Sequence, residues 1–241
     1  MIEKLSGILL GLTRHTDRHN VVTLYTRSRG RLSFLSSAGG GRSGRLRNSR
    51  LQPLSVIEAD VNVKQNAELL KLGSFALSHI WSGIYFHPLK GMVALFLSEF
   101  LNRLLKAAQQ DEALFDYIVG ALSLFDRMEE GIADFHISFM ASLLPFMGIQ
   151  PDPAEWQEGC YFDMRNGVFS STRPVHPDFV ERDDALMMAE LCRMDLDNVK
   201  EFAITNEKRQ RLLRLLLHYY GIHYPGSDSL TSLSVLQSLR N

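Results

Sequence analysis

Residues 5–38 read LSGILLGLTRHTDRHNVVTLYTRSRGRLSFLSSA, and the fold is decided here. Three runs, Leu5 to Thr13, Val21 to Arg27 and Arg31 to Ala38, are β-branched or alternate apolar with polar residues, and polar or glycine-bearing breaks separate them. A period of two marks strands with one face in a core. Ser28 to Gly30 is short enough for a tight connection between two strands. Leu51 to Val63 reads as a fourth strand, with Pro53 arguing against a helix. Glu68 to Leu77 fits a fifth strand or a helix equally well. Four or five short strands in about 80 residues predict a small β-barrel.

Beyond Ser82 the period changes. Leu97, Phe100, Leu101 and Leu104 recur at the i, i+3, i+4, i+7 spacing of a buried helix face, and Leu114, Tyr117, Ile118 and Ala121 repeat it. Further helices are expected over Ile132 to Phe146, Pro177 to Arg193 and Thr205 to Tyr220. Between them, Cys160 to Met164 and Val168 to Ser170 flank Arg165-Asn166-Gly167, whose Asn-Gly pair signals a hairpin turn. The expected fold class is α+β, with a barrel over residues 1–79 and a mainly α-helical domain over 80–241 that carries a small hairpin near 160–170.

A chain of 241 residues with 45% hydrophobic content can bury a proper core. No apolar run approaches the roughly 20 residues needed to cross a bilayer, and Leu5 to Leu12 is too short for a signal peptide, so a cytoplasmic, membrane-free protein is expected. The formal net charge of −1 hides an asymmetry. Up to residue 50 the bases are Lys4, Arg14, Arg18, Arg27, Arg29, Arg31, Arg42, Arg45, Arg47 and Arg50, against only Glu3 and Asp17. The remainder is net acidic. A basic module on an acidic body points to a polyanion as its partner.

Gly39 to Gly44 matches both the G-x-G-x-x-G fingerprint and the glycine spacing of a phosphate loop. The second needs Lys and Ser/Thr next, where Arg45 and Leu46 stand. The first needs an immediate helix, which Asn48, Ser49 and Pro53 argue against. A nucleotide-binding enzyme built on this loop is therefore the alternative reading, beside a protein-only adaptor whose arginines meet an acidic partner. The favoured reading joins the glycines to Arg42, Arg45, Arg47 and Arg50 as a basic loop that follows a phosphate backbone, with Arg14, Arg27, Arg29 and Arg31 on the barrel and Tyr25 and Phe34 as candidate stacking residues. Arg211, Arg214 and His218 share one helix face opposite Leu212, Leu216 and Tyr219 and form a candidate secondary basic face. Cys160, Cys192 and His176 are too few for a structural zinc site, so neither metal nor other cofactor is expected. His136 lacks the partners of a catalytic base, and no enzyme activity is expected.

Gly7-Ile8-Leu9-Leu10, Val21-Val22-Thr23-Leu24-Tyr25-Thr26, Gly30-Arg31-Leu32-Ser33-Phe34 and Leu51-Gln52-Pro53-Leu54, in this order and spacing, resemble the N-terminal pattern of the bacterial recombination mediator family RecO. Trp81 to Leu105 resembles the first long helices of that family's C-terminal domain. The resemblance implies an OB-fold barrel followed by a helical domain that often carries a Cys-rich zinc ribbon. It implies binding of single- and double-stranded DNA, annealing of complementary strands, and loading of RecA, with RecR, onto strands coated by single-stranded DNA-binding protein, whose C-terminal tail is a further partner. It also implies DNA repair in the cytoplasm, at the nucleoid. Two features depart from the family pattern. The ribbon's paired cysteines are absent, with the hairpin at Arg165-Asn166-Gly167 in their place, and the basic stretch after the third strand appears as Ala38-Gly39-Gly40-Gly41-Arg42.

Overall fold

The computed structural model describes residues 2–39, 44, 46, 48–62, 69–198 and 204–237. The chain divides into two compact units, residues 1–128 with 230–239, and residues 129–229 with 240–241. The expected boundary at 79/80 falls inside the first unit, where it separates sheet from helices.

The first unit opens with β1 (Ile2–Arg14), β2 (His19–Thr26), β3 (Gly30–Ser37) and β4 (Val56–Asn62), followed by two short strands, β5 (Leu70–Lys71) and β6 (Phe75–Leu77). They form one six-stranded sheet in the order β5-β3-β2-β1-β4-β6, an OB-like half-barrel. Its inner face is filled by Leu5, Leu9, Val22, Leu24, Phe34, Ile57 and Val61. Each such side chain taken fully out of water contributes about 1.5–3 kcal/mol, and the alternation that made these runs legible as strands is the alternation that fills this core. Glu68 lies outside the described residues, and the open choice over Glu68 to Leu77 resolves into the two short strands.

The fourth strand starts later than expected. Residues 51–55 form a turn in which Leu54 has φ 63°, and the backbone of this turn is held by Trp81 Nε1 donating to Leu54 O (3.0 Å) and Leu54 N donating to Leu9 O (3.0 Å). Pro53 has no N–H to give a ladder, so the strand begins beyond it. Gly44, Leu46 and Asn48 are helical, a departure from the loop expected there.

Helices α1 (Ser82–Phe86), α2 (Pro88–Leu104) and α3 (Glu112–Arg127) complete the body of this unit. Pro88 suits the first turn of α2 because the missing N–H would have no intrahelical acceptor. Asp111 caps α3 by accepting from Leu114 N at 2.9 Å. Gly83 allows α1 to approach α3 closely, since a Cβ there would collide with Asp126 O. The chain returns at its end as α7 (Leu233–Gln237), whose contacts are with α2.

The second unit contains α4 (Phe135–Leu143), β7 (Tyr161–Asp163), β8 (Val168–Ser170), β9 (Phe179–Val180), α5 (Arg182–Arg193) and α6 (Asn206–His223). The expected hairpin is present, with Phe162 opposite Phe169 and Gly167 at φ +68° in its turn. Where a helix was expected from Pro177, the chain first forms a third strand, β9, and the helix starts only at Arg182. The strand is two residues long and carries no periodicity to read. On α6, Leu212, Leu216 and Tyr219 are buried, and Tyr219, Tyr220 and Tyr224 each donate a hydroxyl to a backbone carbonyl of residues 140–149 at 2.7 Å.

Candidate nucleic-acid interface

Strand register sorts the N-terminal arginines into two groups. In the β1–β2 ladder Arg14 stands opposite Asn20 and Gly7 opposite Thr26, and in the β2–β3 ladder His19 stands opposite Ser37 and Thr26 opposite Gly30. At about 3.3 Å per residue, the hairpin tip at residues 15–18 and the turn at 27–29 are roughly 20 Å apart, at opposite poles of the sheet.

At the 27–29 pole the positive charge is taken up. Arg27 pairs with Asp116 (2.9 Å) and Glu112 (3.1 Å), and Arg29 pairs with Glu3 (2.6 Å). The hydrogen bond from Arg27 lowers the Asp116 carboxyl below its ordinary range, and that from Arg29 lowers Glu3. Arg31 turns inward, half-buried, and its Nη1 donates to Asn102 O at 2.6 Å in the last turn of α2. Desolvation lowers its guanidinium pKa. Its place is that of a helix C-cap. Gly30 is required beside it: φ is +65°, and a Cβ would lie 2.6 Å from the Gln109 carbonyl carbon.

At the other pole the charge is open. Arg14 is 73% exposed and, among the described residues, pairs only with Asp17 on the same hairpin tip. Arg18 and Arg50 are exposed, and among the described residues neither has an acidic partner within 4 Å. The segment after β3 leaves from this pole, because Ala38 N donates to Arg18 O (2.8 Å) and Asn48 Nδ2 donates to Ala38 O (2.7 Å). Arg50 follows two residues after Asn48, and its carbonyl accepts from Ser55 Oγ at 3.1 Å. Arg42, Arg45 and Arg47 belong to the same segment and lie outside the described residues. His15, Arg18 and His19 were not among the expected site residues. The signal that could have found them is the Arg-His-Thr-Asp-Arg-His run of residues 14–19 at the tip between the first two strands.

The stacking expectation is corrected. Tyr25 and Phe34 are both 0% exposed. Phe34 belongs to the barrel core, and Tyr25 stands against Phe115 with ring centroids 6.4 Å apart. Aromatic rings at strand spacing filled the interior, and neither presents a face to a base. Gly39 and Gly44, the ends of the phosphate-loop match, press together: a Cβ on Gly39 would lie 2.5 Å from Gly44 Cα.

Of the three residues expected to form a basic face on α6, two stand against aspartates. Arg211 pairs with Asp184, His218 Nε2 stands 3.8 Å from Asp178, and Arg214 is exposed. The hairpin does not fit a zinc ribbon. The Asp163 carboxylate accepts from Arg165 N (3.0 Å), Asn166 N (3.0 Å) and Asn166 Nδ2 (2.8 Å), and His176 Nε2 lies 3.2 Å away. Among the described residues no three His, Cys, Asp or Glu side chains are placed to hold a metal ion. Among the same residues, no helix is long and apolar enough to cross a membrane.

An OB-like half-barrel followed by helices defines the class of fold to which the chain belongs. The family described as Recombination protein O N terminal matches residues 1–80, and Recombination protein O C terminal matches residues 87–232. The chain belongs to the RecO family of DNA repair proteins. It is 32% identical to the DNA repair protein RecO of Phocaeicola vulgatus and 31% identical to that of Bacteroides fragilis, each over 99% of both chains. That of Flavobacterium psychrophilum is 24% identical over 98% of both.

Proposed function

We propose that this chain binds DNA through the pole formed by Arg14, Arg18, Arg50 and the 38–50 segment with Arg42, Arg45 and Arg47, and so acts as a strand-annealing recombination mediator. The observation that carries the reading is the pairing difference between the poles. Arg27 and Arg29 pair with Glu112, Asp116 and Glu3, whereas Arg18 and Arg50 are exposed and have no acidic partner among the described residues. Guanidinium groups on a hairpin tip and an adjoining glycine-rich segment track a phosphate backbone without reading sequence. The same charges lower repulsion between two incoming strands, which is what annealing requires.

In this reading the protein takes single- and double-stranded DNA, acts in the cytoplasm at the nucleoid, and works with RecR and the C-terminal tail of single-stranded DNA-binding protein to load RecA. No bond is made or broken by the chain itself. Its relatives' name, DNA repair protein RecO, and their match over the whole length support this assignment.

The test is the salt dependence of single-strand affinity. Replacing Arg14, Arg18 and Arg50 by alanine should flatten the slope of log affinity against log salt by about 2, at roughly 0.7 per phosphate contact. Replacing Arg42, Arg45 and Arg47 should do the same, and annealing should slow with both. A folded variant with unchanged affinity and slope would move the site elsewhere, with Arg214 on α6 next in line.

A further inference from the structure

Beside the open pole, within the first unit, lies a groove of about 740 Å³ between β1, the 51–53 turn, α2 and α7. Its wall exists because β1 outruns one of its neighbours. The ladder with β4 stops at Ile8 opposite Val56, while the ladder with β2 runs on to Arg14 opposite Asn20, past a bulge between Leu9 and Gly11. His15 N donates to His19 O at 3.0 Å, so antiparallel alternation turns the N–H and C=O of Leu12 away from β2 and toward the groove. Among the described residues these groups have no partner. Asn102 is also in the lining, with its Oδ1 buried and without a donor among the described residues.

The sides of the groove are aliphatic. Leu12, Leu95 and Val235 are 41%, 43% and 38% exposed there. Glu99, also in the lining, is already engaged: its carboxylate accepts four hydrogen bonds from Thr231 and Ser232, at 2.5–3.0 Å. Thr13 in the wall precedes Arg14, and Leu51 at the end follows Arg50. Arg14 and Arg50 are thus the chain neighbours of two lining residues.

We propose that this groove receives bases of a single DNA strand whose phosphates lie along Arg14, Arg18 and Arg50. The proposal rests on the DNA-binding reading above and adds where the bases go. A base has apolar faces and a polar edge. The faces fit against Leu12 and Leu95, and the edge meets Leu12 N–H and C=O. Tyr25 and Phe34 are inside the unit, so base contacts near this pole fall to aliphatic side chains. An extended peptide is the competing occupant. The open edge offers it only Leu12 and Arg14, too short a ladder to match the strand additions by which sheets capture peptides.

The experiment compares the full chain's affinity for an oligo(dC) with that for an abasic strand of equal length. The base-bearing strand should bind on the order of tenfold tighter, equivalent to about 1.4 kcal/mol. Leu12→Gln with Leu95→Gln should abolish that ratio while the salt slope stays as in the parent, because no charge changes. A 5-iodocytosine strand should photocrosslink within residues 9–13 or 95–102 of the unaltered chain. Equal affinity for the two strands, or crosslinks confined to the arginine segments, would overturn the groove assignment and leave the phosphate site standing. No binding to either strand would remove both. Displacement of an extended acidic peptide, but not of bases, by the Gln variants would hand the groove to a protein partner.

Discussion

Arg27, in the β2–β3 turn, forks onto Asp116 of α3, with Nε to Oδ1 at 3.0 Å and Nη2 to Oδ2 at 2.9 Å. The two charges answer each other across 89 positions of sequence, so an arginine that counts toward the basic N-terminal half contributes little positive field at its own pole. Arg27→Ala with Arg29→Ala is expected to leave the single-strand salt slope unchanged and to lower the melting temperature only slightly, because exposed pairs contribute little. Titrating oligonucleotide binding at several salt concentrations checks it. A slope flattened as much as by loss of Arg14, Arg18 and Arg50 would refute the division into two poles.

Glu99 fastens the returning C-terminal segment. Burial raises its carboxyl pKa, but hydrogen bonds from the Ser232 and Thr231 side chains and backbone outweigh this and bring it down to about 2. The folded value lies below the unfolded one, so the stabilisation is fully present above about pH 4.5 and is lost as pH falls toward 2. Glu99→Ala removes the acceptor of four hydrogen bonds from Thr231 and Ser232 and should cost about 1–3 kcal/mol at neutral pH. Glu99→Gln should show a shallower decline of unfolding midpoint between pH 4.5 and 2 than the parent.

His136 is buried in α4, and desolvation, helped by the Arg209 guanidinium and opposed by the backbone of Ala133, pushes its imidazole down to about 3. The unfolded chain takes up this proton first. Stability present above about pH 6.5 should therefore fall as pH drops toward 3, by up to about 1.4 kcal/mol per pH unit. Denaturant midpoints measured across that range should fall less steeply for His136→Gln. Parallel curves would mean that the imidazole is charged in the folded chain.

Asp163 occupies the hairpin where a metal knuckle would stand, and it is only 11% exposed. The purified protein should contain no stoichiometric zinc, and a chelator should not lower its melting temperature, since structural zinc contributes on the order of 10 kcal/mol to folding. Asp163→Ala removes the acceptor of three part-buried hydrogen bonds from Arg165 and Asn166 and should cost about 1 kcal/mol. One zinc per chain by elemental analysis would overturn this account.

The amino-acid sequence determined the local elements. Alternation in residues 5–38 laid down three strands, the i, i+3, i+4, i+7 recurrence after Ser82 laid down helices, and Asn166-Gly167 placed a hairpin, because each of these is set by the period at which side chains leave a backbone. The sequence also carried the charge imbalance that makes a polyanion the natural partner. Only the tertiary structure decided which charges are available. Arg27 and Arg29 meet Asp116, Glu112 and Glu3 from distant positions, and Arg31 is spent on the end of α2. Tyr25 and Phe34 have the spacing of stacking residues but lie inside, since a small sheet covers its core with its largest apolar side chains. The open edge at Leu12 has no local signature either. It arises from the difference in length between the β1–β2 and β1–β4 ladders, which Pro53 and the turn after it impose from 40 residues away.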